Sequence, residues 1–203
     1  MGKQLVIATF NIHKLEEIRA LLPPLPLRFR ALSEFPGAVP AEEDGATLEE
    51  NAARKALSAA RFTGLWALAD DTSLEVDALA GAPGVRSARY AGENAGAAEN
   101  NALLLSSLAG VPPGKRTARF ACVMALASPA GELRFSRGTL EGSITAAPRG
   151  LNGFGYDPLF QVGAGPRTLS ELSAAEKNGL SHRARALNGL VSQLRFFCDG
   201  GIG

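Results

Sequence analysis

The sequence predicts an α/β fold built on a mixed sheet, and three observations carry that prediction. Apolar runs with β-branched members alternate with helical stretches at the start of the chain. A pair of apolar or alternating runs flanks a Pro-Ala-Gly turn in the middle, which reads as a β-hairpin rather than another strand–helix unit. A composition of 46% hydrophobic and 20% charged residues over 203 positions supports a packed core, so the chain is expected to form one domain spanning 1–203.

Leu5-Val6-Ile7-Ala8 is the first strand, followed by polar Thr9, Asn11 and Lys14 and then by Ile18, Leu21 and Leu22 at helical spacing. Pro23, Pro24 and Pro26 stop that helix, because proline lacks the amide donor and clashes with the preceding turn. A loop carrying Glu42, Glu43 and Asp44 comes next. Thr47-Leu48-Glu49-Glu50 is a capping box, with Glu50 reaching back to Thr47, and predicts a helix to about Phe62. Leu65 to Ala69 is a buried strand expected to end abruptly at Asp70-Asp71-Thr72-Ser73, with a further ordered piece from Leu74 to Leu79. Gly81-Ala82-Pro83-Gly84 is a turn. Ala97 to Leu108 is helical, stopped by Gly110, and 118–127 with 132–141 forms the hairpin around Pro129-Ala130-Gly131. Gly150 to Asp157 is a glycine-rich loop, and a final helix capped by Ser181 runs to Phe197.

Charge excludes several partners. With 21 Lys and Arg against 20 Asp and Glu, the net charge is +1, and no run of like charge supports binding to nucleic acid or an anionic membrane. No apolar run approaches the roughly 18 residues that a membrane span needs, and Met1-Gly2-Lys3-Gln4 does not open a secretory signal. Cys122 and Cys198 lie far apart in sequence, which points to a reducing compartment, and the chain is expected to be cytoplasmic.

The residues suited to chemistry cluster at strand ends, where open α/β sheets build their sites. Thr9-Phe10-Asn11-Ile12-His13-Lys14 leads from strand to helix, so that amides, a hydroxyl, an amide side chain and an ammonium converge on an anion at the helix start. The acidic clusters Glu42-Glu43-Asp44 and Asp70-Asp71 suit a hard divalent cation. Adjacent aspartates repel, and Mg²⁺ between carboxylate and phosphate oxygens relieves the repulsion. Gly153-Phe154-Gly155-Tyr156-Asp157-Pro158 places aromatics beside glycines, able to stack on a base whose edge Asp157, His182 and Arg183 can meet. Taken singly, each cluster is equally an ordinary capped turn, a solvated acidic loop or core aromatics. The pairing of a lysine-bearing anion loop with acidic clusters is what points to a nucleotide–Mg²⁺ site. Two histidines and two scattered cysteines form no zinc pattern, and no G-x-S-x-G elbow nominates a serine nucleophile.

Thr9-x-Asn11-x-x-Lys14, Glu42-Glu43, Glu50-Asn51-Ala52 with Lys55, Ala69-Asp70-Asp71 and Gly81-Ala82-Pro83-Gly84 occur in that order. Ser87-Ala88-Arg89-Tyr90, Gly153 to Pro158, Glu171-Leu172, Lys177-Asn178 and Ser181-His182-Arg183 follow. In this order and spacing the sequence resembles the inosine triphosphate pyrophosphatase family, also called Ham1-like or RdgB-like, over about residues 4–195. The resemblance implies an elongated mixed sheet flanked by helices, two lobes with the active-site cleft between them, and a homodimer. It implies hydrolysis of dITP, ITP and XTP to the monophosphate and pyrophosphate. Thr9 to Lys14 would then hold the triphosphate. Asp71 would be general base and metal ligand, with Glu42 or Glu43 completing the Mg²⁺ site. Lys55 and Lys177 would neutralise phosphate charge, Thr72 would contact substrate, Phe154 to Asp157 would embrace the base, and His182 and Arg183 would read its 6-keto group. Thr72-Ser73 stands where the family has Ser-Gly, and Phe10 where it often has Gly. Two alternatives remain open: a Maf-like nucleotide pyrophosphatase with another base preference, and a non-catalytic nucleotide-binding module.

Overall fold

The computed structural model describes residues 3–198, so Met1 and Gly2, part of the expected N-terminal reading, lie outside the described residues. The chain runs β1 (Lys3–Ile7), α1 (Ile12–Leu21), β2 (Leu27–Ala31), α2 (Leu48–Thr63), β3 (Trp66–Val76), β4 (Pro83–Gly84), α3 (Ala97–Ser107), β5 (Thr117–Ala127), β6 (Leu133–Ile144), β7 (Phe160–Val162), α4 (Ala174–Leu180), α5 (His182–Asn188) and α6 (Val191–Cys198). The sheet order is β2-β1-β3-β5-β6-β7, with β4 paired to β3. β1 pairs parallel with both β2 and β3, while β3–β4 and β6–β7 are antiparallel. The mixed sheet expected from the alternating and hairpin patterns is therefore present.

The chain divides into two compact units, and the boundaries fall within β3, β5 and β6 and at the start of α5. The first holds residues to Asp71, Cys122–Gly138 and Arg183 onward. Its core comes from the alternation of β1 (Leu5, Ile7) and β3 (Trp66, Leu68), joined by Cys122, Met124 and Leu126 of β5 and covered by Leu15 and Ile18 of α1 and Leu187, Leu194 and Phe197 of the last helices. The second holds Thr72–Ala121 and Thr139–His182, with Leu74, Val76, Leu104, Phe120, Leu140, Tyr156 and Phe160 in its core.

Four local expectations change. β3 does not end at the aspartates but continues through them to Val76, joining the two ordered pieces read from the sequence. Strand continuity is tolerated because Asp70 and Asp71 alternate across the sheet and each meets its own cations. The segment after Pro26, read as loop, contains β2, whose Leu27-Arg28-Phe29-Arg30-Ala31 alternates apolar and basic residues. Thr47 accepts from the Glu50 amide at 3.1 Å as expected of a cap, but the Glu50 carboxylate accepts from the amide of Ala46, one residue earlier than the capping box requires. The single terminal helix is two, α5 and α6, broken around Gly189-Leu190. A Cβ at Gly189 would fall on the Ser136 hydroxyl, so the position is kept glycine by close approach to β6, and glycine is a poor helix former.

Candidate active site

In the first unit, the turn from β1 into α1 is held by its own side chains. Thr9 Oγ1 accepts from the Asn11 amide at 3.1 Å, and Asn11 Oδ1 accepts from the amides of His13 at 3.0 Å and Lys14 at 3.2 Å. Asn11 is thus an N-cap, and three of the loop's amides, those of Asn11, His13 and Lys14, are already taken up within it. What the loop presents is the Lys14 side chain. Phe10, Ile12 and His13 are exposed around it.

Lys14 Nζ lies 3.1 Å from Asp70 Oδ2. The same oxygen accepts from Arg183 Nη2 at 3.0 Å, and Arg183 Nη1 donates to Glu17. Asp70 and Arg183 are 2% and 1% exposed, which makes this a buried ion-pair network. Burial alone would raise the Asp70 carboxyl, but Lys14, Arg183 and Lys55 outweigh it and hold it far below the ordinary aspartate range. The guanidinium expected to read a 6-keto group therefore faces two carboxylates here, where it braces Asp70. Removing it would leave Asp70 paired with Lys14 and take the guanidinium from Glu17.

Asp71 points to the other face of β3, towards α2. Lys55 Nζ donates to Asp71 Oδ1 at 2.7 Å and to Glu43 Oε2 at 3.2 Å, so one ammonium joins the acidic loop to the strand. Asn51, one helical turn before Lys55, donates to Asp71 Oδ2 at 3.3 Å. Burial pushes the Asp71 carboxyl up and outweighs the pull of Lys55 and Lys14, with Glu43 adding to the rise. Glu43 feels burial too, but Lys55 and Lys14 bring it below the usual range. The two shifts run in opposite directions, and a carboxyl raised above its ordinary value is the better matched to general-base work near neutrality. Glu42, the other candidate, is exposed like Glu43 and differs from it in lacking the Lys55 contact.

Among the described residues no three His, Cys, Asp or Glu side chains form a ready metal cage. Two carboxylates converging on one ammonium are nonetheless a hard-oxygen donor set already paired with positive charge. Mg²⁺ is held by one or two carboxylates together with substrate phosphate oxygens, and Asp71 and Glu43 fit that requirement.

In the second unit, Asp157 organises the glycine-rich loop. Its Oδ2 accepts from the Phe154 amide at 2.9 Å and from Lys177 Nζ at 2.6 Å, and that ammonium sits 5.0 Å from the centre of the Phe154 ring. Lys177, expected at the phosphates, is committed instead to this loop. Gly153 has φ +75°, and a Cβ there would collide with the Asp157 carboxylate. Asn101 Nδ2 supports the loop through the Gly155 carbonyl at 3.0 Å, a contact that its place in α3 gave no reason to expect. Tyr156, expected to embrace a base, is core. It is 5% exposed and its hydroxyl donates to the Ser87 carbonyl at 2.9 Å. His182 is 3% exposed and stacked on Phe120 at 4.7 Å and 15°, while Thr72 is half-buried in β3. Phe154 is the half-buried aromatic of the loop, and Gly155 beside it is equally half-buried.

These features define an α/β protein with a paired acid–lysine site suited to phosphate chemistry. The chain belongs to the Ham1 family, whose model matches residues 5–193. It is 52% identical over 184 residues to a dITP/XTP pyrophosphatase of Desulforamulus reducens, covering 91% of this chain and 92% of that one. It is 54% identical, with the same coverages, to a dITP/XTP pyrophosphatase of Geobacter sulfurreducens. Among solved structures, a HAM1 protein from Coxiella burnetii superposes with TM-score 0.85 at 44% identity, covering 95% of this chain and 98% of that one. The Staphylococcus aureus Ham1 protein gives TM-score 0.82 at 38% identity, covering 98% and 100%.

Proposed function

We propose that this chain is a nucleoside triphosphate pyrophosphatase that hydrolyses dITP, ITP and XTP to the monophosphate and pyrophosphate, removing non-standard purines from the cytoplasmic nucleotide pool. The observation that carries the reading is Asp71: a buried carboxylate raised above its ordinary range, with a lysine on one oxygen. Near-full-length relatives named dITP/XTP pyrophosphatase supply the substrate class. They favour it over the Maf-like and non-catalytic alternatives.

In the reaction, Asp71 takes a proton from a water directed at the α-phosphorus. The new bond is from water oxygen to phosphorus, the bond that breaks is to the bridging oxygen, and pyrophosphate leaves. Lys14 and Lys55 meet the charge that grows on the phosphate oxygens, the contribution a protein can best make in phosphoryl transfer. Asp71 and Glu43 would hold Mg²⁺, which when bound supplies charge neutralisation at the phosphates. Phe154 offers the base a ring whose loop is tied by Asp157 and Lys177, and His182 is the polar group assigned to its 6-keto edge. Asn11, Thr9 and Thr72 shape the phosphate side. The enzyme is proposed to act as a homodimer.

Incubating the protein with Mg²⁺ and dITP, XTP, dATP or dGTP, with products resolved by anion exchange, tests the assignment. Monophosphate and pyrophosphate from dITP and XTP are expected. Equal turnover of dATP and dGTP would reject the keto-purine preference, and diphosphate with inorganic phosphate would reject the reaction.

A further inference from the structure

Asn51 has no role in the scheme above, yet its side chain is 1% exposed and placed between the two acidic segments. Its Nδ2 donates to Asp71 Oδ2 at 3.3 Å, and its Oδ1 accepts from the amide of Gly45 at 2.8 Å, two residues beyond Glu43. The residue sits in the first turn of α2, and its own amide donates to the Thr47 carbonyl at 3.2 Å. The carboxamide is therefore carried on a helix start already fixed by the Thr47 cap. Gly45 is buried, and a Cβ there would lie 2.6 Å from Asn51 Oδ1 and 2.9 Å from Glu50 Cβ, so the loop backbone is pressed against this side chain.

The chemistry of the position is restrictive. It needs a donor towards a carboxylate and an acceptor for a backbone amide within one short side chain. Asparagine supplies both. Aspartate would keep the acceptor but face Asp71 with a second carboxylate, and leucine would keep the volume and lose both bonds. Lys55 holds Oδ1 of Asp71 from the next turn of the same helix face, so Asn51 and Lys55 fix the two oxygens separately.

We propose that Asn51 is a positioning residue: it sets the orientation of the Asp71 carboxylate and, through Gly45, the distance of the Glu43 loop from it. The inference rests on Asp71 being the proton acceptor. It assigns Asn51 an effect on turnover rather than on metal-free substrate binding, because its contacts are with the carboxylate and the loop and not with the phosphate lysines.

Asn51→Asp and Asn51→Leu test this, with thermal melts to establish the folded fraction. Three readouts are taken: dITP turnover with Mg²⁺, affinity for α,β-imido-dITP in metal-free buffer, and hydrogen exchange at the Gly45 amide. In both variants kcat is expected to fall about 10–100-fold, the range for supporting partners of site carboxylates, with analogue affinity unchanged. Gly45 exchange stays slow in Asn51→Asp and becomes fast in Asn51→Leu. Parental kcat in folded Asn51→Leu would overturn the proposal, as would a kcat loss matched by equal loss of analogue binding. If the parent enzyme itself fails to turn over dITP, the functional reading falls. Gly45 exchange then still decides the clamp, since unchanged exchange in Asn51→Leu would refute it.

Discussion

At the scale of single residues, two adjacent aspartates of β3 are shifted in opposite directions. Asp70 is held ionised by Lys14 and Arg183, whereas Asp71 is raised by burial beyond what Lys55 and Lys14 restore. Asp71→Asn keeps the shape and removes the basic oxygen, so it should fold and lose turnover by about 10²–10⁴-fold, the usual contribution of a general base. A folded variant with near-parental kcat would assign the base elsewhere. The pH dependence has a definite sign. The acid limb of kcat/KM should lie above an aspartate's ordinary 3.8, since protonated Asp71 cannot accept a proton. Lys55 pulls Asp71 down, so Lys55→Met should move that limb to higher pH, and a limb that stays in place would contradict the pairing.

At the scale of elements, the glycine-rich loop depends on backbone shapes that side chains oppose. Gly153→Ala places a methyl group against the Asp157 carboxylate at φ +75°, a conformation costing about 1–2 kcal/mol for a residue with Cβ. Because Asp157 ties Phe154 to Lys177, the variant should raise KM for dITP about tenfold with a smaller change in kcat. Unchanged KM would remove the loop from base binding. Much at this scale was legible in the sequence. The Asn11 and Thr47 caps, the proline stop after α1 and the Ser128–Glu132 turn of the hairpin all use local chemistry. What was not legible depends on distant partners. β3 continues through Asp70-Asp71 because lysines and an arginine from other segments neutralise them, and α5 ends where Gly189 meets Ser136 of β6. Asn51 carried no signal of its own beyond its place in the Glu50-Asn51-Ala52 motif, because its value lies in two contacts with residues 6 and 20 positions away.

At the scale of the whole molecule, stability and site chemistry share the Asp70–Arg183–Glu17 network. Arg183→Ala leaves two carboxylates without their guanidinium and should destabilise by about 3–5 kcal/mol, read from the melting temperature. An unchanged melt would show the network to be dispensable. Asp70 is lowered in the folded state, so its contribution is fully present above 3.8 and is lost as pH falls below that value towards the folded one. The stability difference between parent and Asp70→Asn should therefore be constant near neutrality and shrink only below about pH 4. The motif order grouped Lys14, Asp71 and Lys55 with Glu42 or Glu43, and in the structure Glu43 and Asp71 share Lys55. It also placed Tyr156 and Lys177 in roles that burial and pairing changed, because sequence spacing does not report which face of a loop turns inward. Attack at the α-phosphorus is read out by hydrolysing dITP in H₂¹⁸O and weighing both products by mass spectrometry. The label should appear in dIMP and not in pyrophosphate. Label in pyrophosphate would mean attack at the β-phosphorus and would contradict the role given to Asp71.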